Sequence, residues 1–101
     1  MKGRTPNAAE ELWMNKVAGI GCIVCLNNSI ESPAEIHHLD GKTKEGAHFH
    51  TIGLCPRHHR LADNNPKDWI SRHGDGVKAF EREYGTENEL LLQLLDIINE
   101  N

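Results

Sequence analysis

An α+β fold is predicted for this 101-residue chain by three features: two short alternating segments flanking a glycine-bearing loop, helix-start signals on both sides of them, and paired cysteine and histidine spacings. Cys22-x-x-Cys25 can place two thiolates on one ion from a tight knuckle, and Cys55 with His58 can do the same from the first turn of a helix. Four ligands in two such pairs make one closed tetrahedral site, the structural kind that zinc occupies. At this length a single domain of residues 1–101 is expected, with a core small enough for a metal staple to matter.

Composition bounds the function. Hydrophobic residues make up 38% and charged residues 26%, an ordinary globular balance. Three cysteines and no N-terminal apolar run argue against a disulfide framework and for thiols that hold metal in a reducing, cytoplasmic setting. No stretch approaches the roughly 18 apolar residues of a membrane span. A net charge of −4 argues against a protein that coats nucleic acid nonspecifically. The charge is uneven, however. Acids collect from Glu81 onward, whereas Lys42, Lys44, Arg57 and Arg60 stand beside the histidines, so a locally basic site on an acidic body is expected.

The elements follow in order. Residues 1–5 carry no apolar pattern and are expected to fray. Asn7 and Glu10 form a capping box for a helix over about Ala8–Ala18, stopped by Gly19 and Gly21. Cys22–Cys25 is the knuckle, and the Asn- and Ser-rich stretch from Leu26 to Pro33 reads as loop. Ala34–Asp40 and Ala47–Leu54 alternate as a hairpin around residues 41–46. A short helix is predicted from Cys55 to about Asp63, with Pro56 tolerated in its first turn; the core ββα unit thus covers about 34–63. Further helices are predicted over about 66–99: one opening at Pro66 and carrying Trp69 and Ile70, one over Val77–Tyr84, and one capped by Thr86 and Glu89. The Leu- and Ile-rich stripe of the last is expected to pack on its own domain, which makes the chain a monomer.

Knuckle, hairpin, and a helix whose start returns a second ligand pair is the connectivity of a treble-clef zinc module. Strand, strand, helix with histidines at the end of the first strand and on the helix is also the ββα-metal unit of HNH nucleases. The motifs Cys22-x-x-Cys25, Ala34-Glu-Ile-His-His38, Leu54-Cys-Pro-x-His-His-Arg60, His73-Gly74 and Phe80-Glu-x-x-Tyr-Gly-Thr-Glu87 are all present. In them the chain, from about Gly21 to Leu95, resembles the bacteriophage Ref-type recombination-enhancement nucleases of the HNH superfamily.

The resemblance implies that His37 is a ligand of a catalytic metal, that His38 is the general base, and that His59 is the ligand on the helix. For the third ligand two residues stand open: Asp63, four residues further along the predicted helix, and His73, which matches the Ref-like pattern ahead of Gly74. Where HNH proteins carry their central Asn this chain has His50, with His48 two residues earlier. Either can orient the hairpin, or His48 can lean into the site, and Asp40 can hold a histidine tautomer or the metal. The implied activity is hydrolysis of DNA phosphodiesters in phage recombination, inside the bacterial host's cytoplasm. Structural Zn2+ is one cofactor and a catalytic divalent cation (Mg2+, Mn2+, Zn2+ or Ni2+) the other. DNA, contacted by Lys42, Lys44, Arg57 and Arg60, and a RecA filament are the implied partners. A second reading of the same residues is a treble-clef zinc module that binds nucleic acid or protein without cutting.

Overall fold

The computed structural model describes residues 5–39, 41, 46–61 and 69–99. Over these the chain forms α1 (Ala8–Ile20), α2 (Ile23–Asn27), β1 (Glu35–His38), a 3-10 turn (Ala47–Phe49), β2 (Thr51–Leu54), α3 (Pro56–His59), α4 (Val77–Tyr84) and α5 (Glu87–Asn99).

Asn7 and Glu10 cap α1 reciprocally: the Asn7 side chain accepts the Glu10 N–H and the Glu10 carboxylate accepts the Asn7 N–H, both at 2.9 Å. The helix runs two residues past the expected Ala18 and stops at Gly21, whose φ is 88°. A Cβ there would lie 2.6 Å from the Ser32 carbonyl oxygen, so this close approach needs glycine. The knuckle is itself helical. Cys22 caps α2, its sulfur accepting the Cys25 N–H, and the Leu26 N–H returns to the Cys22 carbonyl, which extends the turn to Asn27 where a loop was expected.

β1 and β2 pair antiparallel, with Ile36 opposite Gly53, His37 opposite Ile52 and His38 opposite Thr51. Every residue of β2 is buried, because α1, α2 and α5 all pack on it. The core around it consists of Val17, Ile23, Val24, Ile52, Leu54, Phe80, Leu90 and Leu94. No helix among the described residues is long and apolar enough to cross a membrane.

Three further predicted elements differ in the structure. The first half of the expected second strand is the 3-10 turn, since Phe49 and His50 donate their N–H groups back to Gly46 and Ala47. Thr51 holds that turn, its hydroxyl donating to the His48 carbonyl at 3.3 Å and accepting the Trp13 indole N–H at 3.0 Å. α3 ends at His59, short of Asp63, which lies outside the described residues. Trp69 and Ile70 are irregular where a helix was expected, because their neighbourhood spends its donors elsewhere: Ile70 N–H on the Tyr84 hydroxyl, Arg72 N–H on the His58 carbonyl and His73 N–H on the His59 carbonyl.

Candidate metal centres

Two side-chain clusters sit back to back on α3. The first joins Cys22 and Cys25, at the start of α2, to Cys55 and His58, at the start of α3, all four buried. Cys22 and Cys55 are the N-cap residues of their short helices, which aims both sulfurs at one point. His58 Nδ1 lies 3.6, 3.4 and 3.2 Å from the sulfurs of Cys22, Cys25 and Cys55, and the Cys25 and Cys55 sulfurs are 3.7 Å apart. A tetrahedral ion with Zn–S of about 2.3 Å and Zn–N of about 2.0 Å demands S···N edges near 3.5 Å and S···S edges near 3.8 Å, so the donor set and its spacing fit zinc.

Electrostatics agrees with that fit. Burial pushes the Cys22 and Cys25 thiols up and the His58 imidazole down to about 4, so the metal-free cluster prefers neutral groups. A divalent cation reverses the preference at the thiols and leaves the neutral imidazole as it is. His58 is fixed in plane by Trp69, stacked at 4.3 Å with 15° between the rings, and edge-on by Tyr84 at 5.2 Å. Its Nε2 is buried with no hydrogen-bond partner among the described residues, so Nδ1 alone is engaged.

The second cluster is His37 on β1, His59 at the end of α3 and His73 in the turn after Ser71, with one ligand atom from each within 4.8 Å of the others. The ring centroids are 5.2 Å apart for His37–His59 and for His37–His73, and 4.9 Å for His59–His73. Backbone pairing brings His73 here, its N–H donating to the His59 carbonyl at 2.8 Å. The Ser71 hydroxyl accepts the Gly74 N–H at 2.7 Å, closing the turn beneath it. Burial, and then the neighbouring His59 and His37, depress the His73 pKa and favour its neutral, metal-ligating form.

Two glutamates that sequence reasoning did not single out complete this site. Glu87, first residue of α5, receives both His37 Nε2 at 3.0 Å and Arg72 Nε on the same oxygen, Oε1. Glu35 receives both His59 Nδ1 at 2.8 Å and Arg60 Nε at 3.0 Å, again on Oε1. Arg60, then His59, hold the Glu35 carboxyl below its usual range; burial works to raise that of Glu87, but its bonds to His37 and Arg72 outweigh burial and lower it. One local signal existed: strand alternation puts Glu35 on the same face as His37.

His38 points the other way. Its Nε2 lies 2.9 Å from Nδ1 of His48, which is only 5% exposed. His48 stands in the 3-10 turn rather than on a strand with His50, and exposed His50 accepts the Leu39 N–H through its carbonyl. Arg57 lies within α3 and Arg60 at its end, and Arg57 lines a cleft together with Pro33, Leu61 and Trp69. Asp40, Lys42, Lys44 and Asp63 lie outside the described residues.

Fold and site together define a small α+β protein with a two-stranded sheet and a Cys3His cluster able to hold a metal ion, beside a histidine triad. The chain belongs to the recombination enhancement, RecA-dependent nuclease family, whose model matches residues 6–99. With that membership come a nuclease role in recombination and a relation to DNA and RecA.

Proposed function

We propose that the chain is a metal-dependent endonuclease of the HNH type, hydrolysing DNA phosphodiester bonds, in which residues 1–101 work as one treble-clef domain with β1, β2 and α3 as its ββα-metal unit. The observation that carries this reading is the split between two adjacent residues of one strand. His37 turns into a triad of imidazoles suited to a cation, while His38 turns to the opposite side and meets His48. Alternation along a strand produces this divergence directly, so a metal ligand and a base are held by one rigid element a fixed distance apart.

In this reading Zn2+ at Cys22, Cys25, Cys55 and His58 is structural. A divalent cation (Mg2+, Mn2+, Zn2+ or Ni2+) held by His37, His59 and His73 would supply charge stabilisation for the leaving 3′ oxygen. His38 takes the proton of the attacking water. Its Nε2 lies 2.9 Å from Nδ1 of the buried His48, and the tautomer that donates Nε2–H to His48 leaves the lone pair on Nδ1 to accept the proton. Arg57, Lys42 and Lys44 supply positive charge for the phosphates on either side, Arg60 being committed to Glu35, so DNA affinity falls as salt rises. A RecA filament is the partner with which cleavage is coupled.

Replacing His38 by Ala tests this. The variant is expected to fold, to retain both metal complements and nearly full DNA affinity, and to nick plasmid or branched DNA about 10² to 10⁴-fold more slowly in Mn2+ or Mg2+ with RecA supplied. Equal rates for wild type and variant would remove His38 from the mechanism. Wild-type protein that never cuts under these conditions would favour the non-cutting zinc module instead.

A further inference from the structure

The His37–His59–His73 triad is held from outside by two matching relays. On one side Arg72, Glu87 and His37 are linked through a single carboxylate oxygen; on the other Arg60, Glu35 and His59 are linked in the same way. An arginine has only donors to offer, so each Oε1 acts as an acceptor, and the imidazole nitrogen that shares it must be the one bearing hydrogen. In His37 that nitrogen is Nε2, and in His59 it is Nδ1. A neutral imidazole carries its lone pair on the other nitrogen. The two rings are therefore set in opposite tautomers by partners 50 and 24 residues away in sequence.

We propose that Glu87 and Glu35 are the positioning residues of this cluster, fixing His37 to present Nδ1 and His59 to present Nε2 to a divalent cation. The inference rests on the metal reading given above and extends it to residues that touch neither ion nor DNA. A carboxylate behind a ligating histidine fixes ring orientation and raises ligand basicity, and its loss typically weakens metal binding about 10–100-fold. The arginines prevent the carboxylates from swinging inward as ligands themselves. Arg60 forks onto both oxygens of Glu35, with Nη2 to Oε2 at 2.8 Å, and Arg72 pins the buried Glu87. The pattern also ties the site to the fold: Glu87 opens α5, and Glu35 and His37 share one face of β1.

The test is long-range 1H–15N spectroscopy of histidine rings in the full chain, loaded with zinc at the cysteine site only. His37 is expected as the Nε2–H tautomer and His59 as the Nδ1–H tautomer; the reverse assignment in either ring overturns the proposal. Co2+ is then titrated into wild type, Glu35→Gln and Glu87→Gln, with zinc content measured in parallel. The carboxamide keeps the shape but offers a donor as well as an acceptor, so each variant is expected to bind Co2+ at the triad about 10–100-fold more weakly while retaining its zinc. Glu35→Gln lies at a partly exposed position, so it reads out the relay even if Glu87→Gln, buried against Arg72, fails to fold. Unchanged Co2+ affinity in a folded variant overturns the proposal and leaves the metal reading intact. Wild type that binds no second ion, yet shows the stated tautomers, removes the metal reading and leaves the relay.

Discussion

Gly53 shows how little room single residues have here. It pairs with Ile36 in the sheet, and a Cβ added to it would sit 2.5 Å from the Gly21 carbonyl oxygen and 3.0 Å from Ala34 Cβ. The first obstacle is backbone and cannot swing aside, so Gly53→Ala is expected to cost about 1–3 kcal/mol of stability in a denaturant titration; a variant as stable as wild type would mean that Gly21 and β2 can separate freely. Proton inventory gives a second check at this scale. With burial holding the Cys22 and Cys25 thiols up and His58 down to about 4, zinc binding near pH 7 should expel at least two protons, from those thiols, and none from His58. Zinc affinity then rises with pH through neutrality. Calorimetry in buffers of different ionisation enthalpy measures the release, and fewer than two protons would contradict the burial argument. The metal-type residues were legible in the sequence because paired ligand spacing is a local pattern. Glu35 and Glu87 were not, because their roles arise only when β1, α3 and α5 meet.

Elements were legible where their ends carry chemistry. Asn7 with Glu10 and Thr86 with Glu89 each announce a helix, and both pairs exchange the expected bonds, Thr86 N–H to Glu89 Oε1 at 2.9 Å and Glu89 N–H to Thr86 Oγ1 at 3.1 Å. Asn7→Ala should therefore cost about 1 kcal/mol, read as a lower melting temperature with zinc content unchanged, because α1 touches neither cluster through this cap. No loss would show that packing of Val17 and Trp13, rather than the cap, holds the helix start. Elements were illegible where a distant partner outbids the local pattern. Ala47–Phe49 alternates like a strand, but alternation reports faces and not hydrogen bonds, and the Trp13–Thr51–His48 chain secures a turn instead. Trp69 and Ile70 follow a helix-start pattern, yet Tyr84 and the carbonyls of His58 and His59 bind the segment in an irregular path. That path is what carries His73 to the triad, so the irregularity serves the site.

The whole molecule is organised around α3, a four-residue helix that gives His58 to one cluster and His59 to the other. The two clusters are unequal in what depends on them. The first is wholly buried and brings α2 and α3 together beneath Trp69 and Tyr84, so an ion held there would link the two helices and its removal would undo that link. Zinc binding in small zinc modules supplies about 10–16 kcal/mol, as large as the net stability of about 5–15 kcal/mol of a whole domain, so a zinc ion at these four residues would decide whether the chain folds. The second cluster lies at the rim, with His73 exposed and His59 partly so, and the relays from Glu35 and Glu87 hold its rings whether or not an ion is present. On the proposed two-metal reading, metal should therefore leave in two stages with different consequences. A weak chelator, or His73→Ala, is expected to empty the rim site and abolish cleavage while the melting curve moves by only a few degrees. A strong chelator, or Cys55→Ser, is expected to take both ions and melt the domain, because without the buried zinc α3 no longer presents His59 to His37. Metal content followed alongside circular dichroism separates the stages. A domain that keeps its melting temperature after zinc has been stripped from the cysteines would show that the core stands without the ion, and one that unfolds with His73→Ala would show that the rim, not the buried cluster, holds the molecule together.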